Sequence, residues 1–198
     1  MKIVRDEVVV DAGTFSKSKE YAQIHQQILE AIEHIVWPTG SNFFTINPGR
    51  HVNGVVPIKE ACMEYLESQG WRREVPLDLK ATIKRPGNLD AVARVLGSYY
   101  AAEWETGNIS SSHRAINKII LGLLSGAILG GTLIIGTRKI YPYLTDRIGS
   151  IEELEPYFPV WKAIPFNIGV IGIISVEHDK TDINVPPIKK GTDGRALR

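Results

Sequence analysis

The sequence predicts a single α/β domain in which helices pack on a sheet. Three observations carry that reading: amphipathic helical runs recur along the chain, β-branched strands interleave with them, and none of the 198 residues form a stretch with a linker's composition. At 43% hydrophobic residues the chain can bury one full core. Its net charge of +1, from 23 Lys+Arg against 22 Asp+Glu, excludes a globally basic nucleic-acid binder, so an anionic partner must be met by a local patch. Cys62 has no partner for a disulfide within the chain, which predicts a reducing, intracellular compartment. The opening MKIVRDEVVVDAG interrupts its apolar residues with Asp6, Glu7 and Asp11, unlike a signal peptide.

In residues 17–36, Tyr21, Ile24, Ile28, Ile32 and Ile35 recur at helical spacing until Trp37-Pro38 stops the helix. His25 and His34 lie on it without acidic or cysteine partners at ligand spacing and read as surface or packing residues. A turn-rich stretch leads to a second helix, with Pro57 in its first turn and Gly70 as its stop. Lys59 falls near its start, where the helix dipole does not favour a cation, and is either a solvated lysine or a phosphate contact. After Trp71-Arg72-Arg73-Glu74 a basic, proline-marked loop leads to a strand at 89–96. Gly97-Ser98 then turns the chain into a second strand at 99–105. Alternation puts Tyr99, Ala101, Glu103 and Glu105 on one side, with Tyr100, Ala102 and Trp104 on the other. If the hairpin pairs this way, Asp90 comes close to the acidic side.

Carboxylates on adjoining strands suit a hard divalent cation, which binds through a few acids, waters and substrate phosphate oxygens. The same spacing also occurs on strands whose acids merely face water. Beyond Thr106-Gly107, Asn108 or a serine of Ser110-Ser111-Ser112 caps a helix that continues through Ile116, Ile119, Ile120 and Leu123. Its free amides suit a phosphate or base edge, although capping alone explains the serines. Residues 119–137 carry no charge and could be taken for a membrane span, but five glycines dilute the run. Gly130-Gly131 divides it into a helix end and a β-branched strand at 132–135. There follow a loop at 141–147, an acidic helix over 151–158 behind Ser150, an apolar strand at 166–177 and a basic, turn-rich tail from 184.

A series of strings makes the reading specific: WP at 37–38, FTIN at 44–47, NGVVPIKE at 53–60, PLDL at 76–79, ETGNISSSHR at 105–114, NK at 117–118, YLTDR at 143–147, EELEPYF at 152–158, NVP at 184–186 and KGTDG at 190–194. In this order and spacing they resemble the BamHI-like type II restriction endonucleases. The resemblance implies a central mixed β-sheet flanked by helices, the restriction-endonuclease-like fold of the PD-(D/E)xK superfamily, with Glu105 where that superfamily usually has lysine. It implies one endonuclease domain over 1–198, with a basic C-terminal arm at about 184–198.

The implied activity is magnesium-dependent hydrolysis of both strands of double-stranded DNA at the palindrome GGATCC, leaving 5′ overhangs and 5′-phosphates. The implied protein is a homodimer in a bacterial cytoplasm with no membrane association, and calcium supports its binding without cleavage. Asp90, Glu103 and Glu105 match catalytic positions and Glu74 a further active-site acid; Asp90, Glu103 and Glu74 are the implied metal ligands. Asn108, Ser110, Arg114, Asp146 and Arg147 match base-reading positions, Asp193 and Gly194 a minor-groove arm, and Lys59 a phosphate contact. The helix from Ile109 and the acidic helix match the family's dimer-forming pair. Trp104 departs from the family, which has phenylalanine there. Two rival readings are a non-cleaving sequence-specific DNA-binding protein on the same scaffold, which gains nothing from acids beside phosphate, and an acid-pair glycoside hydrolase, which needs no metal.

Overall fold

The structure, a computed structural model, describes residues 1–77 and 86–190. Six strands form the central sheet: β1 (Lys2–Ala12), β3 (Arg72–Pro76), β4 (Asn88–Val95), β5 (Ser98–Trp104), β6 (Gly130–Gly136) and β7 (Gly169–Glu177). They lie in the order β1-β7-β6-β5-β4-β3, and β5, β6 and β7 are mutually parallel while the remaining pairs are antiparallel, so the sheet is mixed as expected. Helices cover both faces, which is why β6 and β7 read as near-continuous apolar runs and are buried along their whole length.

On one face, α1 (Lys19–Glu33) and α2 (Val56–Ser68) bring Ile24, Ile28, Ile32, Met63 and Leu66 against Tyr100, Trp104 and Ile174. On the other, α3 (Ile109–Leu124) and the short α4 (Ile151–Leu154) and α5 (Phe158–Lys162) bring Ile116, Ile119, Leu154 and Trp161 against Ala101, Leu133 and Ile173. The alternation read along β5 therefore holds. Ser18 caps α1 by accepting from Tyr21 N at 3.1 Å, and Pro57 sits in the first turn of α2.

Several elements differ from expectation. Residues 2–12 form an edge strand, whose alternating charges face water on one side. Residues 72–76 form β3, a strand not expected there. The β4–β5 turn is Leu96-Gly97 rather than Gly97-Ser98; both residues have positive φ (47° and 79°), as a tight two-residue hairpin requires. Val95 then pairs with Ser98 and Ala91 with Ala102, a register that brings Asp90 beside Glu103 on the acidic side, as expected. The acidic helix is broken into α4, a single turn at Glu155–Tyr157 and α5, because Pro156 and Pro159 supply no N–H. The strand expected from 166 begins at Gly169. Two short strands, β2 (Thr45–Ile46) and β8 (Lys180–Thr181), pair in parallel outside the main sheet.

Residues 119–137 divide between the end of α3 and β6, and among the described residues no helix is long and apolar enough to cross a membrane. Asp193, Gly194 and the end of the PLDL string lie outside the described residues.

Candidate active site

The acids meet at one end of β4 and β5. Asp90 comes from β4, Glu103 from the last turn of pleat in β5, and Glu105 from just beyond it, where its N–H still bonds Ile134 O at 2.9 Å. Asp90 is held at both oxygens: Oδ2 accepts from Trp104 N at 2.8 Å and Oδ1 from Lys59 Nζ at 2.7 Å. Lys59 reaches in from the first turns of α2, so the residue expected as a phosphate contact is turned inward to the acids. Burial lowers its pKa, but attraction to Asp90, Glu74 and Glu103 outweighs this and the net shift is upward. The lysine thus lies among all three acids.

Glu103 is only 3% exposed. Its Oε2 accepts from Lys118 Nζ at 2.9 Å, and that ammonium also donates to Asn88 O at 2.7 Å. Lys118 Nζ also lies 2.8 Å from Oε1, so the ammonium forms an ion pair with both oxygens. Burial and, after it, the Asp90 charge push the Glu103 carboxyl up to about 8, against the pull of Lys118 and Lys59. Two lysines match the formal charge of the two acids, so the upward shift comes first from burial.

Glu105 is half-buried. Its Oε1 accepts from Gly107 N at 2.5 Å, and the tight turn needs glycine there, since a Cβ would lie 2.9 Å from that same oxygen and 2.8 Å from Ser111 Cβ. Burial raises the Glu105 pKa more than the Gly107 N–H lowers it. Glu74 is exposed on β3 at a left-handed φ of 51°, a conformation uncommon outside glycine and turn residues, and it accepts from Asn88 Nδ2 at 3.5 Å. The structure thus joins Asp90, Glu103 and Glu105 in one cluster and sets Glu74 at its rim.

Among the described residues no three His, Cys, Asp or Glu side chains stand close enough to cage a metal by themselves. The donor set nevertheless fits a magnesium ion, which uses one or two carboxylates and completes its shell with water and substrate oxygens. The burial of the Glu103 carboxyl beside Asp90, two oxygen-donor acids brought to one place, is the observation that favours a cation here.

The helix beyond begins as expected. Asn108 is the N-cap of α3, its Oδ1 accepting from Ser110 N at 3.0 Å and Ser111 N at 3.3 Å. Ser110 and Arg114 follow on exposed positions, and Asp146 and Arg147 are exposed on the loop before α4. Gly149 N donates to Gly107 O at 2.7 Å, which fastens the Asp146–Arg147 loop beside the start of α3. Four expected base readers and the cap thus border one surface next to the acids.

Lys118 was not singled out by the sequence reading. Its signal was a lone cation level with the apolar stripe of α3, between Ala115 and Ile119. The buried Asn53 was equally unremarked beyond its place in a matched string.

A family model described as restriction endonuclease BamHI matches residues 1–195 of this chain. The chain is 50% identical over 198 residues, the whole of both sequences, to the type II restriction enzyme OkrAI of Oceanobacter kriegii. It is 38% identical over 204 aligned positions to the type II restriction enzyme BamHI of Bacillus amyloliquefaciens, covering 98% of this chain and 93% of that enzyme. In fold it is similar to the crystal structure of restriction endonuclease BglII in complex with a DNA 16-mer, with a TM-score of 0.60 at 12% identity, over 90% of this chain and 79% of that one.

Proposed function

The chain belongs to the BamHI family of type II restriction endonucleases, and from that membership we propose that it hydrolyses both strands of double-stranded DNA at GGATCC, with magnesium, to leave 5′ overhangs and 5′-phosphates. Site-specific DNA cleavage is the activity of the family; the site, the ion and the cut position are the reading developed here. The observation that carries it is the clustering of Asp90 and the buried Glu103 next to a helix start and loop that expose Arg114, Asp146 and Arg147.

In this reading Asp90 and Glu103 hold the cation, with Glu74 at the rim reached through water. A bound magnesium supplies charge neutralisation at the phosphate and a bound water of lowered pKa. Glu105, one oxygen fixed by Gly107 N, accepts the proton of the attacking water, and its upward-shifted pKa makes it a stronger base than a free carboxylate. Water's oxygen forms the new P–O bond as the 3′ oxygen leaves, so no covalent enzyme intermediate arises. Lys59, paired with Asp90 at 2.7 Å, would lend its positive charge to a phosphate bound beside that acid.

Arg114 and Arg147 have two donors in a plane for guanine O6 and N7, and Asp146 can accept from a cytosine amino group, as a G·C-rich half-site demands. Asn108 and Ser110 border the same groove, and Asp193 and Gly194 approach the minor groove from the basic arm at about 184–198. The palindrome calls for a two-fold homodimer, in which α3 and the α4–α5 region face the partner; Leu121, Leu124, Tyr157 and Val160 are exposed there. One domain over 1–198 carries the whole activity, and calcium supports binding without cutting.

Plasmid DNA with one GGATCC site tests the reading. Linear product ending at that site should appear with magnesium and be absent with chelator. Site-limited cutting at another sequence would overturn the assignment of GGATCC, and failure to cut any site in magnesium would favour the non-cleaving binder.

A further inference from the structure

Two of the matching strings, FTIN and YLTDR, meet at the buried Asn53 that opens a third, NGVVPIKE. Asn53 is 0% exposed. Its Nδ2 donates to Asn47 O at 2.8 Å and to Tyr143 O at 2.9 Å, and its Oδ1 accepts from Ile188 N at 3.2 Å. Its main chain adds two bonds to the same loop: Asn53 N donates to Tyr143 O at 3.0 Å, and Thr145 N donates to Asn53 O at 2.8 Å. Gly54 N donates to Ile188 O at 2.8 Å, and the chain passes so close that a Cβ on Gly54 would collide with the Lys189 carbonyl and lie 2.8 Å from Lys190 Cα. Asn47 holds the same segment further back, donating to Val185 O at 2.7 Å and Ile183 O at 3.3 Å.

Residues 183–190 are otherwise exposed apart from Ile188 and the half-buried Val185. They have little apolar burial to keep them in place, so the anchorage comes from hydrogen bonds: the amides of Asn47 and Asn53, Gly54 N, and Trp37 Nε1, which donates to Pro186 O at 2.8 Å. Tyr143 and Thr145 begin the loop that carries Asp146 and Arg147. One amide therefore fixes the start of the basic arm and the base-reading loop to each other, although they are some forty residues apart in sequence. Every side-chain bond of Asn53 goes to main chain of a different segment, an arrangement that an apolar residue of the same volume leaves unsatisfied.

We propose that Asn53 is a positioning residue for sequence discrimination, holding segment 183–190 and loop 143–147 in one rigid frame so that both meet a single duplex together. The proposal rests on the reading of Asp146 and Arg147 as base contacts. Discrimination needs such a frame because a base pair is distinguished only when donors and acceptors are held near ideal geometry, whereas phosphate attraction tolerates movement.

The experiment measures dissociation constants in calcium, without cleavage, for a GGATCC duplex and for one with a single altered base pair. It compares the wild type with Asn53→Ala, Gly54→Ala and Asn47→Ala; the last two release segment 183–190 while leaving the Asn53 amide in place. The expected result is that the ratio of the two constants falls by about tenfold or more in the variants, while the weaker binding to altered DNA stays within about twofold. A ratio equal to wild type in any folded variant that frees the segment, or equal weakening on both duplexes, overturns it. Should Asn53→Ala fail to fold, the other two variants carry the test. A wild type that binds the two duplexes alike defeats the base-reading assignment itself, and the proposal with it.

Discussion

Lys118 Nζ lies 2.9 Å from Glu103 Oε2 and 2.7 Å from Asn88 O, so one buried ammonium ties α3 to β4 and β5 where the acids gather. Removing either partner leaves a charge buried without compensation, which costs more than losing a surface pair. Lys118→Met should therefore destabilise the metal-free protein by about 3 kcal/mol in urea unfolding above the carboxyl's value of about 8, where Glu103 is ionised, and by less at neutral pH. The double variant Lys118→Met/Glu103→Gln should recover most of that loss. Equal stabilities for the single and double variants would show that the pair contributes nothing.

Glu103 also makes stability depend on pH. Its carboxyl titrates at about 8 in the folded protein against an ordinary value of 4.5. Between those values the folded state binds more protons than the unfolded chain, so the contribution is fully present below the lower value and lost as pH rises through the upper one. The metal-free melting temperature should fall between about pH 6 and about pH 8.5, and Glu103→Gln should flatten that slope. Magnesium should stabilise more at the higher pH, since the ionised carboxylate is what a cation binds. A slope unchanged in Glu103→Gln would assign it to another group.

Asn108 has two roles that substitution can separate. Its Oδ1 caps α3, and in the proposed function the remainder of the side chain contacts DNA. Asn108→Ala should lose about 1 kcal/mol of stability through the missing cap. Asn108→Asp should keep the cap, gain from the helix dipole, and still weaken GGATCC binding by placing negative charge in the groove. Denaturant midpoints beside binding isotherms read both effects. Unimpaired DNA binding by the aspartate variant would reduce Asn108 to a cap.

Glu105 is assigned the proton of the attacking water. Glu105→Gln can still accept from Gly107 N, so its fold and its DNA affinity in calcium should match wild type. Its cleavage rate should drop by about a hundredfold or more, the typical contribution of a positioned base. A rate within a few-fold of wild type would transfer that role to another group.

The sequence exposed the acids because strand alternation is a local property: Glu103 and Glu105 share parity, and Trp104 points to the opposite core. The α3 cap was equally legible, since Asn108 and its partners are neighbours in the chain. What decides how the acids behave was not local. Lys59 and Lys118 reach them from helices on opposite faces of the sheet, across separations that periodicity cannot register. The hairpin register hinged on Leu96 taking a positive φ, which its identity does not favour. Strand β1 was hidden by the charges of an edge strand, and the anchoring of residues 183–190 depends on amides more than one hundred residues earlier.

The most direct test of the cutting centre is single-turnover cleavage of an end-labelled GGATCC duplex by wild type and by Glu103→Gln, with calcium-supported binding measured in parallel. Glutamine is preferable to alanine because it keeps a polar group beside the buried Lys118. The account predicts cutting by the wild type in magnesium and none with chelator, with the variant slower by about a thousandfold or more and still selective for GGATCC in calcium. Wild-type rates in Glu103→Gln, or wild-type cutting that survives chelation, would contradict it.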